Sequence, residues 1–282
     1  MQKGANRTAL LLSAGLFLLA GALHELDGLL PAALRSVNFM GMTVIYLGLA
    51  LGWAASIAQR IMNRAVRRLL ISCAALAALW IVLRACKYRF FESEAVCLML
   101  WYLYYLPQLV APVLMLLAAL HLGRPEGQSI SRRWYLLLVP AAALFLGIVT
   151  NSRHELAFRF FPPQSRLNVY AHGPLYFAAC AFMLAMMAAG VGVVFARSRV
   201  RSGRRFIWLP GVVFLSGFAL CLLSFANVLT AFKVPEMFCA TFIATWECCI
   251  QVGLLPSNAN YGGFFAASTI CAQIADAQGN AV

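Results

Sequence analysis

The run Cys97-Leu98-Met99-Leu100-Trp101-Tyr102-Leu103-Tyr104-Tyr105-Leu106-Pro107-Gln108-Leu109-Val110-Ala111-Pro112-Val113-Leu114-Met115-Leu116-Leu117-Ala118-Ala119-Leu120-His121-Leu122 decides the fold. It holds no Asp, Glu, Lys or Arg, and about 20 apolar residues in a helix suffice to cross roughly 30 Å of hydrocarbon. Pro107 and Pro112 would count against a helix in water, but a bundled membrane helix tolerates them because its neighbours re-satisfy the freed backbone groups. Outward from this run lie seven more of its kind, about 8–30, 38–59, 66–86, 133–150, 172–196, 206–232 and 237–255, two of them containing Pro140 and Pro210. None alternates with period two, which argues against a transmembrane barrel. The expected fold class is all-α, a polytopic transmembrane helix bundle of about eight apolar spans.

Composition agrees. The 282 residues are 63% hydrophobic and 11% charged, with a mean hydropathy of +0.82. That leaves too little polar surface to coat a soluble globule and too much apolar surface for a disordered chain. The net charge of +13 sits between the apolar runs, so it reads as a membrane boundary and not as a nucleic-acid surface. Lys and Arg are concentrated in alternate loops, which puts both termini on the cytoplasmic side. Arg197, Arg199, Arg201, Arg204 and Arg205 then form a cytoplasmic anchor against anionic lipid. The first run begins like a signal peptide, with Lys3 and Arg7 before it and Ala20-Gly21-Ala22 within it, but is expected to stay attached as a span. Nine cysteines without a C-x-x-C give neither a disulfide framework nor a zinc site. A Cys86–Cys97 bridge is geometrically conceivable.

Polar chemistry collects in three places. Arg84, Lys87, Tyr88 and Arg89 precede Trp101, Tyr104 and Tyr105, a cationic cluster beside an aromatic wall. Interface anchoring accounts for it, as does a pocket for an anionic or aromatic ligand. The loop at about 151–171 holds Asn151, Arg153, His154, Glu155, Phe158, Arg159, Phe160, Phe161 and Tyr170, too apolar for free solvation. It should fold back onto the bundle mouth, as an aromatic belt with Arg159 snorkelling or as a lid over a ligand pocket. His24-Glu25 and His154-Glu155 start like a zincin motif but lack the second His. A looser metal site drawing on His24, His154 and His172, with Glu25, Asp27 and Glu155, is the weaker alternative to ordinary interface histidines. No cofactor is expected. The third place is Glu247, deep in the last run, where a carboxylate must face protein or be protonated. Gly48-x-x-x-Gly52 permits close helix packing, though the pattern is weak.

Several stretches together resemble the N-terminal seven-transmembrane sensory region of bacterial sensor histidine kinases. They are Lys87-Tyr88-Arg89-Phe90-Phe91; Trp101 through Pro107 with Pro112; Thr150-Asn151 with His154 and Phe158; Tyr170, Gly173 and Tyr176; Glu247 through Ile250; and Gly253 through Asn258 with Tyr261 and Phe265. The likeness covers nearly all of the chain from about residue 39. Two positions depart from the family pattern: Ser152 stands where Asp is usual, and Glu155 where His or Gln is usual. The family's nominal count of seven spans is one fewer than the runs here. Beyond the last run, Ile274 through Val282 resembles the opening of the segment that leads toward the kinase in full-length relatives.

The resemblance implies a membrane-embedded signal-sensing module of the bacterial inner membrane. Residues 1–258 are expected to form the sensory bundle, and 259–282 a cytoplasmic linker and the start of a missing output domain. Neither a phosphoacceptor-His domain nor an ATP site is in this chain, so it is not expected to be an enzyme by itself. Candidate ligand-binding residues are Lys87, Tyr88, Trp101, Tyr104, Tyr105, Asn151, Arg153, His154 and Tyr170. Candidate signal-coupling residues are Glu247, Pro256 and Asn258. Expected partners are the bilayer, a small ligand or peptide, a second copy of the chain and a cytoplasmic kinase output. The rival reading is a small-solute or ion-coupled transporter, which would call for paired broken helices or an inverted repeat; a membrane enzyme built on the His/Glu residues ranks below it.

Overall fold

The computed structural model describes residues 2–122, 124, 130–161, 170–197, 208–226, 228 and 230–255, with side chains from Thr8 onward except Ala32 and Phe225. Pro256, Asn258 and the 259–282 segment lie outside the described residues, as do Arg199, Arg201, Arg204 and Arg205. The helices are α1 (Gln2–Leu26), α2 (Ala32–Arg60), α3 (Arg64–Arg89), α4 (Glu94–Leu103), α5 (Tyr105–Leu120), α6 (Leu138–Val149), α7 (Asn151–His154), α8 (Pro174–Arg197), α9 (Leu209–Phe225) and α10 (Val234–Gln251). Strands β1 (Phe158–Phe160) and β2 (Tyr170–His172) pair antiparallel, Arg159 opposite Ala171. With α4 and α5 counted as one broken column and α7 as a single turn, the described residues form an all-α polytopic bundle.

Six columns are long and apolar enough to span a membrane: Thr8–Leu29, Ala33–Arg60, Arg64–Arg89, Glu94–Leu120, Arg132–Val149 and Pro174–Arg197. The seventh run is shorter than its apolar stretch suggested. Ser224 Oγ donates to the Phe232 carbonyl and closes the turn into α10, so the helix stops at Phe225. α10 carries Glu236 and Glu247 and packs chiefly on α9. Leu11, Leu12, Val44, Val139 and Leu215 look outward, the surface lipid would cover. Gly48 and Gly52 have no atom within 4 Å of a would-be Cβ, so they make no close packing contact.

Prolines place the breaks. Pro107 has no N–H for the Leu103 carbonyl, and its ring crowds that oxygen, so α4 ends at Leu103. The chain restarts through Tyr104, whose N–H donates to the Trp101 carbonyl. Pro140 likewise follows a 3₁₀ stretch, Arg132–Leu137, and Pro210 sits in the first turn of α9, where its missing N–H costs nothing. Asn63 makes the α2–α3 turn short: its Oδ1 accepts from the amides of Ala65 and Val66 and caps α3. Cys86 and Cys97 are both free thiols; Cys97 Sγ donates instead to the carbonyls of Lys87 and Phe91.

α10 ends at a glycine. Gly253 has φ 82°, the left-handed conformation that favours glycine. Leu254 and Leu255 then donate to the Cys249 carbonyl and bury their side chains in a core with Trp53, Phe242 and Trp246. The chain leaving the last helix is thus held against the bundle.

Candidate functional site

Asn151 organises the loop that the sequence singles out. It is fully buried; its Nδ2 donates to the Phe158 carbonyl (2.8 Å) and the Tyr102 hydroxyl (3.2 Å), while Oδ1 accepts from the amides of Ala157 (2.8 Å) and Phe158 (3.0 Å). Both halves of the amide are satisfied inside the protein. His154 serves the same turn. Leu156 N donates to Nδ1 at 3.0 Å, which leaves Nε2 protonated toward the Gly147 carbonyl (3.0 Å) and Thr150 Oγ1 (3.3 Å). Glu155 closes the turn in the left-handed conformation, φ 51°. Arg153 is exposed.

This turn drives Phe158 into the bundle mouth, where it is 0% exposed. Trp101 lies 4.5 Å from it, Tyr170 5.5 Å, Tyr176 5.6 Å and Tyr105 5.8 Å, centroid to centroid. The His172 ring lies 4.1 Å from that of Tyr176, tilted by 39°, and burial lowers its pKa, so the ring is neutral at neutral pH. The β-hairpin is therefore a packed aromatic cap across the end where α4, α6 and α8 meet. Gly173 fixes its return: a Cβ there would run into the Leu156 carbonyl, while Gly173 N donates to the Ala157 carbonyl. Gly173→Ala is expected to displace the hairpin and lower stability by roughly 2 kcal/mol, read as a lower unfolding midpoint in detergent with faster proteolysis near residue 160.

Lys87 stands at the edge of this cap. Its ammonium is 4.8 Å from the Tyr88 ring centroid, 5.7 Å from Trp101 and 5.9 Å from Tyr104, and Trp101 meets Tyr170 at 4.9 Å on its other side. Lys87, Tyr88, Trp101, Tyr104 and Tyr170 thus share one neighbourhood. Tyr105 turns toward the cap instead, against Phe158 and Tyr176. Tyr88 is exposed and Lys87 half-buried, so the cage is open to one side.

α10 is fastened near both ends by carboxylates. At the capped end Glu236, 4% exposed, pairs with Arg84 of α3. At the opposite end Glu247 receives a bidentate pair from Arg60 (2.7 and 2.6 Å), plus Gln251 Nε2 (2.6 Å) and Trp53 Nε1 (3.3 Å). The sequence suggested a carboxylate well inside a span. Arg60 is the last residue of α2, and Glu247 falls in the last turn of α10, so the pair sits near the helix ends, where a charge is less costly. Neither pairing was read from the sequence. The sequence leaves Glu247 facing protein or protonated; a cation at the same depth, such as Arg60 at the end of α2, is the signal that would have found the pair.

The three candidate metal-binding histidines are dispersed. His24 lines a narrow cleft with Arg84, Lys233 and Glu236, His172 belongs to the aromatic cap, and His154 is engaged in its turn. No group of three or more possible metal ligands occurs among the described residues.

A multi-pass helical membrane protein with an aromatic cap at one end and a charge-fastened last helix is the class these features define. The chain belongs to the family described as the N-terminal 7TM region of histidine kinase, whose model matches residues 36–255. That region is a sensory one and not a catalytic domain, which associates the chain with a histidine kinase output and with the inner membrane. Among the described residues, the matched stretch holds seven helical columns, from α2 to α10 with α4 and α5 as one, and α1 lies before it. No match was found among curated proteins or among solved structures.

Proposed function

We propose that the chain senses a ligand at the capped end and passes the signal out through its last helix. The observation that carries this reading is the open-sided Lys87 cage, a cation framed by Tyr88, Trp101 and Tyr104. Such a site suits a small molecule or peptide bearing an anionic group beside an aromatic or apolar body. Asn151 and His154 act by holding the cap, and Arg153 and Tyr170 stand at its surface and edge.

A packed route supports the link to α10. Tyr104 lies 6.2 Å from Trp80 of α3, and Trp80 5.4 Å from Phe238 of α10, one turn from the Arg84–Glu236 pair. A ligand that moves Tyr104 therefore presses on the start of the last helix, and differential affinity for two positions of α10 is all that signalling requires. Glu247 and the Gly253–Asn258 exit, with Pro256, then couple α10 to a cytoplasmic linker over 259–282. The termini are taken as cytoplasmic, and the working unit as a pair of chains.

The test joins the chain in frame to a histidine-kinase output and follows autophosphorylation in membranes exposed to conditioned growth medium. Lys87→Gln should abolish the response, roughly a tenfold loss of ligand affinity or more, with unchanged membrane insertion. A wild-type response in that variant would remove the site.

A further inference from the structure

At the end opposite the cap, Ile61 and Asn63 of the α2–α3 turn, Val66 of α3, His121 and Arg124 beyond α5, and Leu255 enclose a second cavity. It admits a few water-sized groups, enough for the oxygens of one phosphate and too little for a whole organic ligand. His121 is 5% exposed, and its Nε2 has no hydrogen-bond partner, a costly arrangement for a buried polar atom. Burial and then Arg124 lower the His121 pKa, so at neutral pH the ring is neutral and can donate one N–H. Arg67 places Nη1 on the Ile61 carbonyl at 3.4 Å, which brings a second guanidinium to the same corner. No Asp or Glu is among the described residues that line the cavity. Ile61, Val66 and Leu255 are nearly or fully buried and give the cavity an apolar floor.

We propose that this cavity is an anion site that takes a phosphate group, from a phospholipid headgroup or from free phosphate. Arg124 and His121 contact its oxygens, and Arg67 adds charge at the rim. Guanidinium–phosphate hydrogen bonds are among the stronger kinds, and basic pockets between helices on the cytoplasmic side are where anionic headgroups bind. The bound phosphate joins the α2–α3 turn, the end of α5 and Leu255, the last described residue of the exit from α10. Occupancy therefore stabilises the bundle in the arrangement that holds the exit down. This is independent of the ligand proposed at the capped end.

The experiment follows thermal unfolding of the full chain by tryptophan fluorescence. In detergent, inorganic phosphate is titrated against chloride at matched ionic strength. In nanodiscs, phosphatidylglycerol is compared with an uncharged, phosphate-free galactolipid. Phosphate should raise the midpoint, and Arg124→Gln and His121→Gln should each weaken the apparent affinity about tenfold, while Arg159→Gln, exposed at the capped end, leaves it unchanged. An effect confined to phosphatidylglycerol assigns the group to a headgroup; an effect of free phosphate alone assigns a soluble anion; either supports the site. No stabilisation in either arm overturns it, as does stabilisation that Arg124→Gln, at the half-exposed position, leaves intact.

Discussion

Asn151→Ala should collapse the cap. One buried amide satisfies two backbone N–H groups, one carbonyl and the Tyr102 hydroxyl, and alanine leaves all four without that partner. Each unsatisfied buried group costs on the order of 1–3 kcal/mol, so the variant loses roughly 3 kcal/mol or more even after water enters. The cost is local, because the groups freed belong to the turn and β1, and the transmembrane columns do not depend on them. Circular dichroism should therefore retain the helical signal while protease cleavage appears between residues 155 and 173. Asn151→Asp discriminates further: it keeps acceptors for Ala157 and Phe158 but no longer donates to the Phe158 carbonyl, and it buries a charge. It should fail nearly as badly. A cap that remains protease-resistant in Asn151→Ala would show that aromatic packing around Phe158 suffices by itself.

The columns were legible because lipid imposes one demand on every spanning residue, and Leu109, Leu116 or Val191 meets it wherever its helix packs. The breaks were half legible: Pro107 announces a defect, but that the helix restarts at Tyr105 depends on Tyr104 finding the Trp101 carbonyl. Asn151 and His154 stood out as polar residues among aromatics, and a ligand site was the natural expectation. Sequence does not say whether an amide points at solvent or at its own backbone, and here the hydrogen bonds of Asn151 close within seven residues of chain or on Tyr102. Lys87 and Trp101 come within 5.7 Å because only a short turn separates α3 from α4. Arg60 and Glu247 had no such aid. They stand 187 residues apart, and nothing in the 60–64 stretch distinguishes a partnered arginine from one snorkelling to headgroups.

That pair supplies the prediction with the greatest consequence for the whole chain. Removing one member of a buried ion pair costs about 3–5 kcal/mol, because the other charge is left desolvated. With 15% of each side chain exposed, Arg60→Gln should fall toward the lower end of that range. Glu247→Gln should cost less, since the amide oxygen still accepts from Arg60 and Trp53. A double-mutant cycle separates the pair from its surroundings: coupling between contacting charges reaches about 3 kcal/mol, and the swap Arg60→Glu with Glu247→Arg should recover part of it. Stability and output should then divide. α10 packs chiefly on α9, and Phe242, Trp246 and Ile250 of its lower half share an apolar cluster with Trp53 and Ile57 of α2, so breaking the charge clamp leaves the helix in place but loosens its register against α2. In a kinase fusion, Arg60→Gln should therefore give output that no longer follows the ligand, while the capped end still binds it. If the variant instead stays fully responsive, the last helix is held by Phe242, Trp246 and Leu255 alone, and the clamp serves stability only.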